Sequence, residues 1–133
     1  MHSTQVSMLN SALTRDKDYK GLIVYQKALV NTVKLFKFYK NQKPLWSERF
    51  VIEQLLRAHA SVCANIVEGY GRNNRGDYKR FLDISRGSAL EAEYWIELIF
   101  EIRPLDKEIL AEVKAVNKEV IKMLTVLIRH LRV

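Results

Sequence analysis

The residues able to do chemistry are few, and their spacing excludes most of it. The chain has one cysteine, Cys63, and three histidines, His2, His59 and His130. A di-iron site in a helical bundle needs Glu-x-x-His pairs on facing helices. The residues three before His59 and His130 are Leu56 and Leu127, so that motif is absent. Glu93, Glu97 and Glu101 recur every four residues, but with no histidine partners they read as a solvated acidic face. One cysteine allows neither an internal disulfide nor a thiolate zinc cluster. Cys63 and His59 fall in an apolar row, which makes them a buried thiol and a packed imidazole rather than nucleophile and base. The glycine-rich stretch from Gly69 to Gly76 follows a helical pattern, not a strand. Asn74 stands where the dinucleotide fingerprint needs its third glycine, and no Gly-Lys-Ser/Thr follows. The sequence therefore predicts no catalytic residue, no metal and no cofactor.

That same turn carries the other candidate chemistry. Arg72, Arg75, Lys79 and Arg80 crowd together, with Asn73, Asn74 and Tyr78 between them. Arginines and asparagines on a glycine-loosened turn can reach phosphates and base edges, and Tyr78 could stack on an unpaired base. The bland alternative is a solvated turn with helix-end charges. Lys20, Lys27 and Lys34 are seven apart and form a stripe on a helix. They are either a solvated helix back or a track for phosphates.

Composition sets the limits. The 133 residues suffice for one domain with a real core and no staples. Hydrophobic residues at 48% exclude a disordered chain, and five glycines and two prolines argue against a turn-rich sandwich or barrel. The net charge of +7 favours an anionic partner such as nucleic acid. It is unevenly placed: residues 1–46 hold eight Lys+Arg against two Asp+Glu, residues 47–80 six against four, and residues 81–133 eight against nine. Opposite-sign halves could also bring copies of the chain together. No apolar run approaches the roughly 18 residues of a membrane span. The start of the chain lacks signal-peptide character, and the single thiol fits a reducing, cytoplasmic setting.

Sparse breakers divide the chain into helices. Residues 1–15 are Ser/Thr/Asn-rich and read as a flexible tail, leaving 16–133 for the domain. Helical periodicity covers roughly 19–41, 47–70, 77–102 and 104–131. The first helix should bury Leu22, Tyr25, Leu29, Val33 and Phe36, with the lysine stripe opposite. Ser47 is the expected N-cap of the second, which has two apolar rows and so is wrapped by neighbours or by another subunit. The third shows a heptad-like row, Phe81, Ser85, Ser88, Ala92, Trp95 and Ile99. The fourth opens near Pro104 and should bury Ile109, Val113, Val116, Val120, Met123, Leu127 and Leu131. Short connections make neighbours antiparallel, so the expected fold is all-α, an up-down-up-down four-helix bundle.

The run from Gln54 to Arg72 reads Q-x-x-R-A-x-x-S-x-x-x-N-I-x-E-G-x-G-R, through Arg57, Ser61, Asn65, Glu68, Gly69 and Gly71. It resembles the signature of a four-helix bundle family. That family includes proteins encoded in intervening sequences of bacterial 23S rRNA genes and the accessory variability determinant of diversity-generating retroelements. Leu22–Ala28 and Lys79–Glu93 are similar to its first- and third-helix segments. Cys63 departs from it, standing where many relatives have proline. The resemblance implies a homopentameric barrel, a basic nucleic-acid-binding surface for RNA or DNA, a reverse-transcriptase partner in the retroelement branch, and no enzymatic activity. Asn65, in an apolar row, should hydrogen-bond across the bundle, in a network with Arg57 and Glu68.

Overall fold

The computed structural model describes residues 18–131. It contains α1 (Ile23–Tyr39), α2 (Trp46–Tyr70), α3 (Arg75–Ile102) and α4 (Lys107–His130), with one-turn 3₁₀ segments at Tyr19–Gly21 and Pro104–Asp106. No strand occurs among the described residues. The tail read at residues 1–15 lies outside them.

Cross-helix pairs fix the directions. Lys27 reaches Glu119 and Lys34 reaches Glu112, so α1 and α4 are antiparallel. Lys114 pairs with Glu97 and Lys118 with Glu93, so α4 and α3 are antiparallel too. Ser85 meets Val62 while Tyr78 and Phe81 meet Gly69, which sets α3 against α2. The result is an antiparallel four-helix bundle. Glu93 and Glu97, read as a solvated face, are half of the α3–α4 seam.

Helix starts follow their caps. The Leu45 N–H donates to Glu48 Oε1 at 2.9 Å, so α2 begins at Trp46, and Ser47 lies inside its first turn rather than capping it. Asn74 Oδ1 accepts from the Asp77 N–H at 2.8 Å and starts α3 at Arg75. Pro104 opens the 3₁₀ turn that leads into α4.

The core has two apolar clusters separated by a polar waist. One cluster gathers Leu22, Val24, Ile66, Leu82, Leu124 and Leu127; the other gathers Leu35, Leu55, Ile96, Ile99, Leu110 and Val113. Between them, and for Ser85 at the inner edge of the first, buried side chains approach backbone carbonyls of the next helix. Asn31 Nδ2 donates to the Val113 carbonyl (2.9 Å), Asn117 Nδ2 to Ala89 (2.9 Å) and Ser85 Oγ to Val62 (2.8 Å). Thr32 Oγ1 donates to the Ala28 carbonyl of its own helix (2.9 Å) and lies 3.3 Å from the His59 carbonyl on α2. The contacts run from α1 to α4, α4 to α3, α3 to α2, and again from α1 to α2. Each is worth about 1 kcal/mol net, and more is lost if a partner is left unsatisfied.

This waist reverses the expected face of α1. The buried row is Val24, Ala28, Asn31, Thr32, Leu35 and Tyr39. Leu29, Val33 and Phe36, expected inside, are 39%, 40% and 47% exposed, beside Val30 at 60%. Asn31 and Thr32 hold the inward face through their donors, while the buried Asn31 Oδ1 has no hydrogen-bond partner among the described residues, and the larger apolar residues are left outside. On α4 the same register change replaces Val116 and Met123 by Asn117 and Leu124 as the most buried residues.

A second polar cluster ties off one pole. Arg103 donates to Asp106 (2.8 Å), Glu48 (2.9 Å) and Gln42 (3.2 Å), and Tyr39 donates to Asp106 (2.8 Å). Asp106 first, then Glu48, raises the Arg103 pKa, against the effect of burial. The α1–α2 and α3–α4 connections are thereby joined.

His59 is fully buried in the waist, and burial pushes its pKa from 6.5 down to about 4. Between those values the unfolded chain binds the extra proton, so stability falls as pH drops through that window and levels off below about 4. The full loss from this one group is about 3 kcal/mol. Urea melts at several pH values should therefore show a shallower acid loss for His59→Leu than for the parent, and equal slopes would refute this account.

Candidate nucleic-acid interface

The α2–α3 turn forms the pole opposite the Arg103 cluster. Its closeness depends on Gly69. A Cβ there would lie 2.8 Å from Phe81 Cβ and 3.2 Å from both the Tyr78 ring and its carbonyl. The two helices therefore meet almost backbone to side chain. Gly71, with an ordinary φ of −78° and room for a Cβ, carries no such demand.

Around this junction the predicted cations do gather. Arg72 Nη2 bonds Glu68 Oε1 at 2.6 Å, and its guanidinium carbon lies 4.8 Å from the Phe81 ring centre. Arg80 lies over the same ring at 4.6 Å. Arg75 and Arg80 are exposed and Lys79 half-buried, and none of the three makes an ion pair among the described residues. Lys20 sits at the same pole, beside Leu22 of the nearby core cluster.

Tyr78 is a correction. It is only 1% exposed, packed edge-on against Tyr70 with ring centres 6.2 Å apart, so it cannot stack on a base. Its position on the inner row of α3 put the ring into the core. Asn74 is likewise committed, to capping α3.

The lysine stripe is divided. Lys27 and Lys34 bond Glu119 (2.7 Å) and Glu112 (3.3 Å), making an α1–α4 seam rather than an open track. Such half-exposed pairs contribute little to stability, about 0–1 kcal/mol. The expected Arg57–Asn65–Glu68 network is also not formed. Asn65 is half-buried and bonds within its own helix, to the Ser61 carbonyl (2.8 Å) and Oγ (3.0 Å). Arg57 is exposed, and Glu68 turns to Arg72. The link across to α3 is Ser61 Oγ to Ser88 Oγ at 2.8 Å.

Phe81 was missed because periodicity reads it as core alone. A second set of exposed lysines, Lys37, Lys40 and Lys43, closes α1 at the opposite pole. Their location differs in kind. Cations at a helix C-terminus are stabilised by its dipole, which accounts for Lys37 and Lys40. Arg75 is the first residue of α3, where the same dipole opposes a cation, and Lys79 and Arg80 follow in the second turn. No group of three or more His, Cys, Asp or Glu able to hold a metal occurs among the described residues. No helix among them is long and apolar enough to cross a membrane.

An all-helical, antiparallel bundle with a cation-rich pole defines the class of protein. The comparisons define the family. A profile of the 23S rRNA-intervening sequence proteins matches residues 20–126, and the chain belongs to that family. Its fold is similar to the crystal structure of a protein of unknown function from the S23 ribosomal protein family of Bacteroides thetaiotaomicron. The TM-score is 0.71 at 29% identity, over 80% of this chain and 99% of that one. No curated protein matches.

Gly69→Ala forces a Cβ against Phe81 and Tyr78, an overpacking that should cost about 1–3 kcal/mol. A thermal melt equal to that of the parent would show that the junction has slack.

Proposed function

We propose that this protein is a non-enzymatic, self-associating, cytoplasmic RNA- or DNA-binding protein, serving as an accessory factor to a reverse transcriptase. The observation that carries the nucleic-acid reading is the placement of Arg75, Lys79 and Arg80. None of the three has an ion-pair partner among the described residues, and only Arg80 is engaged within the fold, over Phe81, so an external anion is the physical rationale for their clustering. Lys20 adds to the same field. Charge reversal of Arg75, Lys79 and Arg80 to Glu should abolish retention of RNA, whereas Lys27→Gln with Lys34→Gln should weaken it little. In the parent, log K should fall linearly with log salt at about 0.9 per phosphate contacted. Binding that ignores salt would overturn the reading.

Self-association, as the homopentamer the family resemblance implies, finds support on α1. Leu29, Val30, Val33 and Phe36 form an exposed apolar strip beside a shallow cleft lined by Phe36, Lys37, Tyr39, Lys40 and Leu56. A contiguous patch of this kind marks an interaction surface. Val33→Glu with Phe36→Glu should yield a folded monomer by light scattering, and an unchanged oligomer would place the contact elsewhere.

A second reading, in which protein–protein contacts dominate, is favoured by one other observation. Exposed Phe50 and Tyr94 pack on Trp95, and Trp46, one turn before Phe50 on α2, is 81% exposed. Under that reading the charge-reversed variant keeps its protein partner.

A further inference from the structure

The two guanidiniums on Phe81 bear on what kind of nucleic acid this pole can hold. Arg72 and Arg80 approach the same ring, at 4.8 Å and 4.6 Å. Each such contact orients a side chain that otherwise samples many rotamers. The ring in turn has a fixed seat, because its Cβ fills the space that Gly69 leaves open. Glu68 steadies Arg72 from the other helix. Fixed forks suit the bidentate geometry of phosphate oxygens.

The aromatic rings at this pole, by contrast, are each engaged by a protein partner. Proteins that take single strands without sequence preference stack successive bases on open rings. Tyr78 is buried, Tyr70 is half-buried with its ring against Tyr78, and Phe81 is occupied by cations. Tyr19 packs edge-on against Tyr25, their ring centres 5.1 Å apart. Double-stranded RNA, whose bases stay stacked, is instead recognised through its phosphates and shape.

Resting on the nucleic-acid reading above, we propose that Phe81 is a positioning residue that presents Arg72 and Arg80 as a fixed phosphate-binding pair, selecting the backbone of double-helical RNA over unpaired strand. A neutral side chain thereby sets affinity in a site otherwise made of charge.

The test uses the full chain with two labelled probes of equal length, an RNA duplex and a single-stranded oligouridine, in anisotropy titrations at one salt concentration. The duplex should bind tighter. Phe81→Leu, which leaves net charge unchanged, should weaken duplex binding about tenfold, and Phe81→Tyr should restore most of it. Arg80→Gln, which spares the core, should lower both duplex affinity and the salt slope, the latter by about one. Oligouridine binding as tight as duplex binding would overturn the selectivity. A Phe81→Leu variant that melts and binds like the parent would overturn the positioning role. Binding of neither probe by the parent would remove the nucleic-acid reading itself.

Discussion

The bundle depends on a band of hydrogen bonds at mid-height. Four helices packed only through apolar side chains can slide or rotate past one another at little cost, because dispersion and burial have no direction. Asn31, Asn117, Ser85 and Thr32 remove that freedom. Each lies within hydrogen-bond distance of a carbonyl on a neighbouring helix, and a slip of one residue would leave the Asn31 and Asn117 amides and the Ser85 hydroxyl unmatched, while Thr32 keeps the Ala28 carbonyl of its own helix. The apolar clusters above and below can then pack in a single register.

With register fixed at the middle, the two poles are free to specialise. One is tied together internally, by Arg103, Asp106, Glu48 and Tyr39, with Lys37, Lys40 and Lys43 exposed around it. The other keeps its cations outward, over a junction so close that only a glycine fits at position 69. A stiff frame beneath exposed charge is a sound arrangement for an electrostatic contact, since little ordering remains to oppose binding.

Much of this was legible in the sequence. Sparse breakers and long periodic runs gave four helices, and short links gave their antiparallel order. The cation-rich turn was visible as a cluster of residue types. The errors share one cause. Counting bulky apolar residues assigns the inward face of α1 to Leu29, Val33 and Phe36, whereas Asn31 and Thr32 occupy it. A polar residue enters a core when a partner waits there, and that partner, a carbonyl on a distant segment, leaves no mark in local pattern. For the same reason, seven-residue spacing found the lysine stripe but not the glutamates of α4 that neutralise part of it. Tyr78 was placed by its neighbours in sequence, and its ring by the inner row of α3.

The waist also distributes information unequally along the chain. Its donors are side chains, but its acceptors are main-chain carbonyls of Val113, Ala89, Val62 and His59. A carbonyl is supplied by any residue type. The helical address is thus written on one partner of each pair only, and the acceptor positions answer to packing volume alone. Sequence drift at those positions can alter the size of the core without erasing the register, while the donors hold it alone.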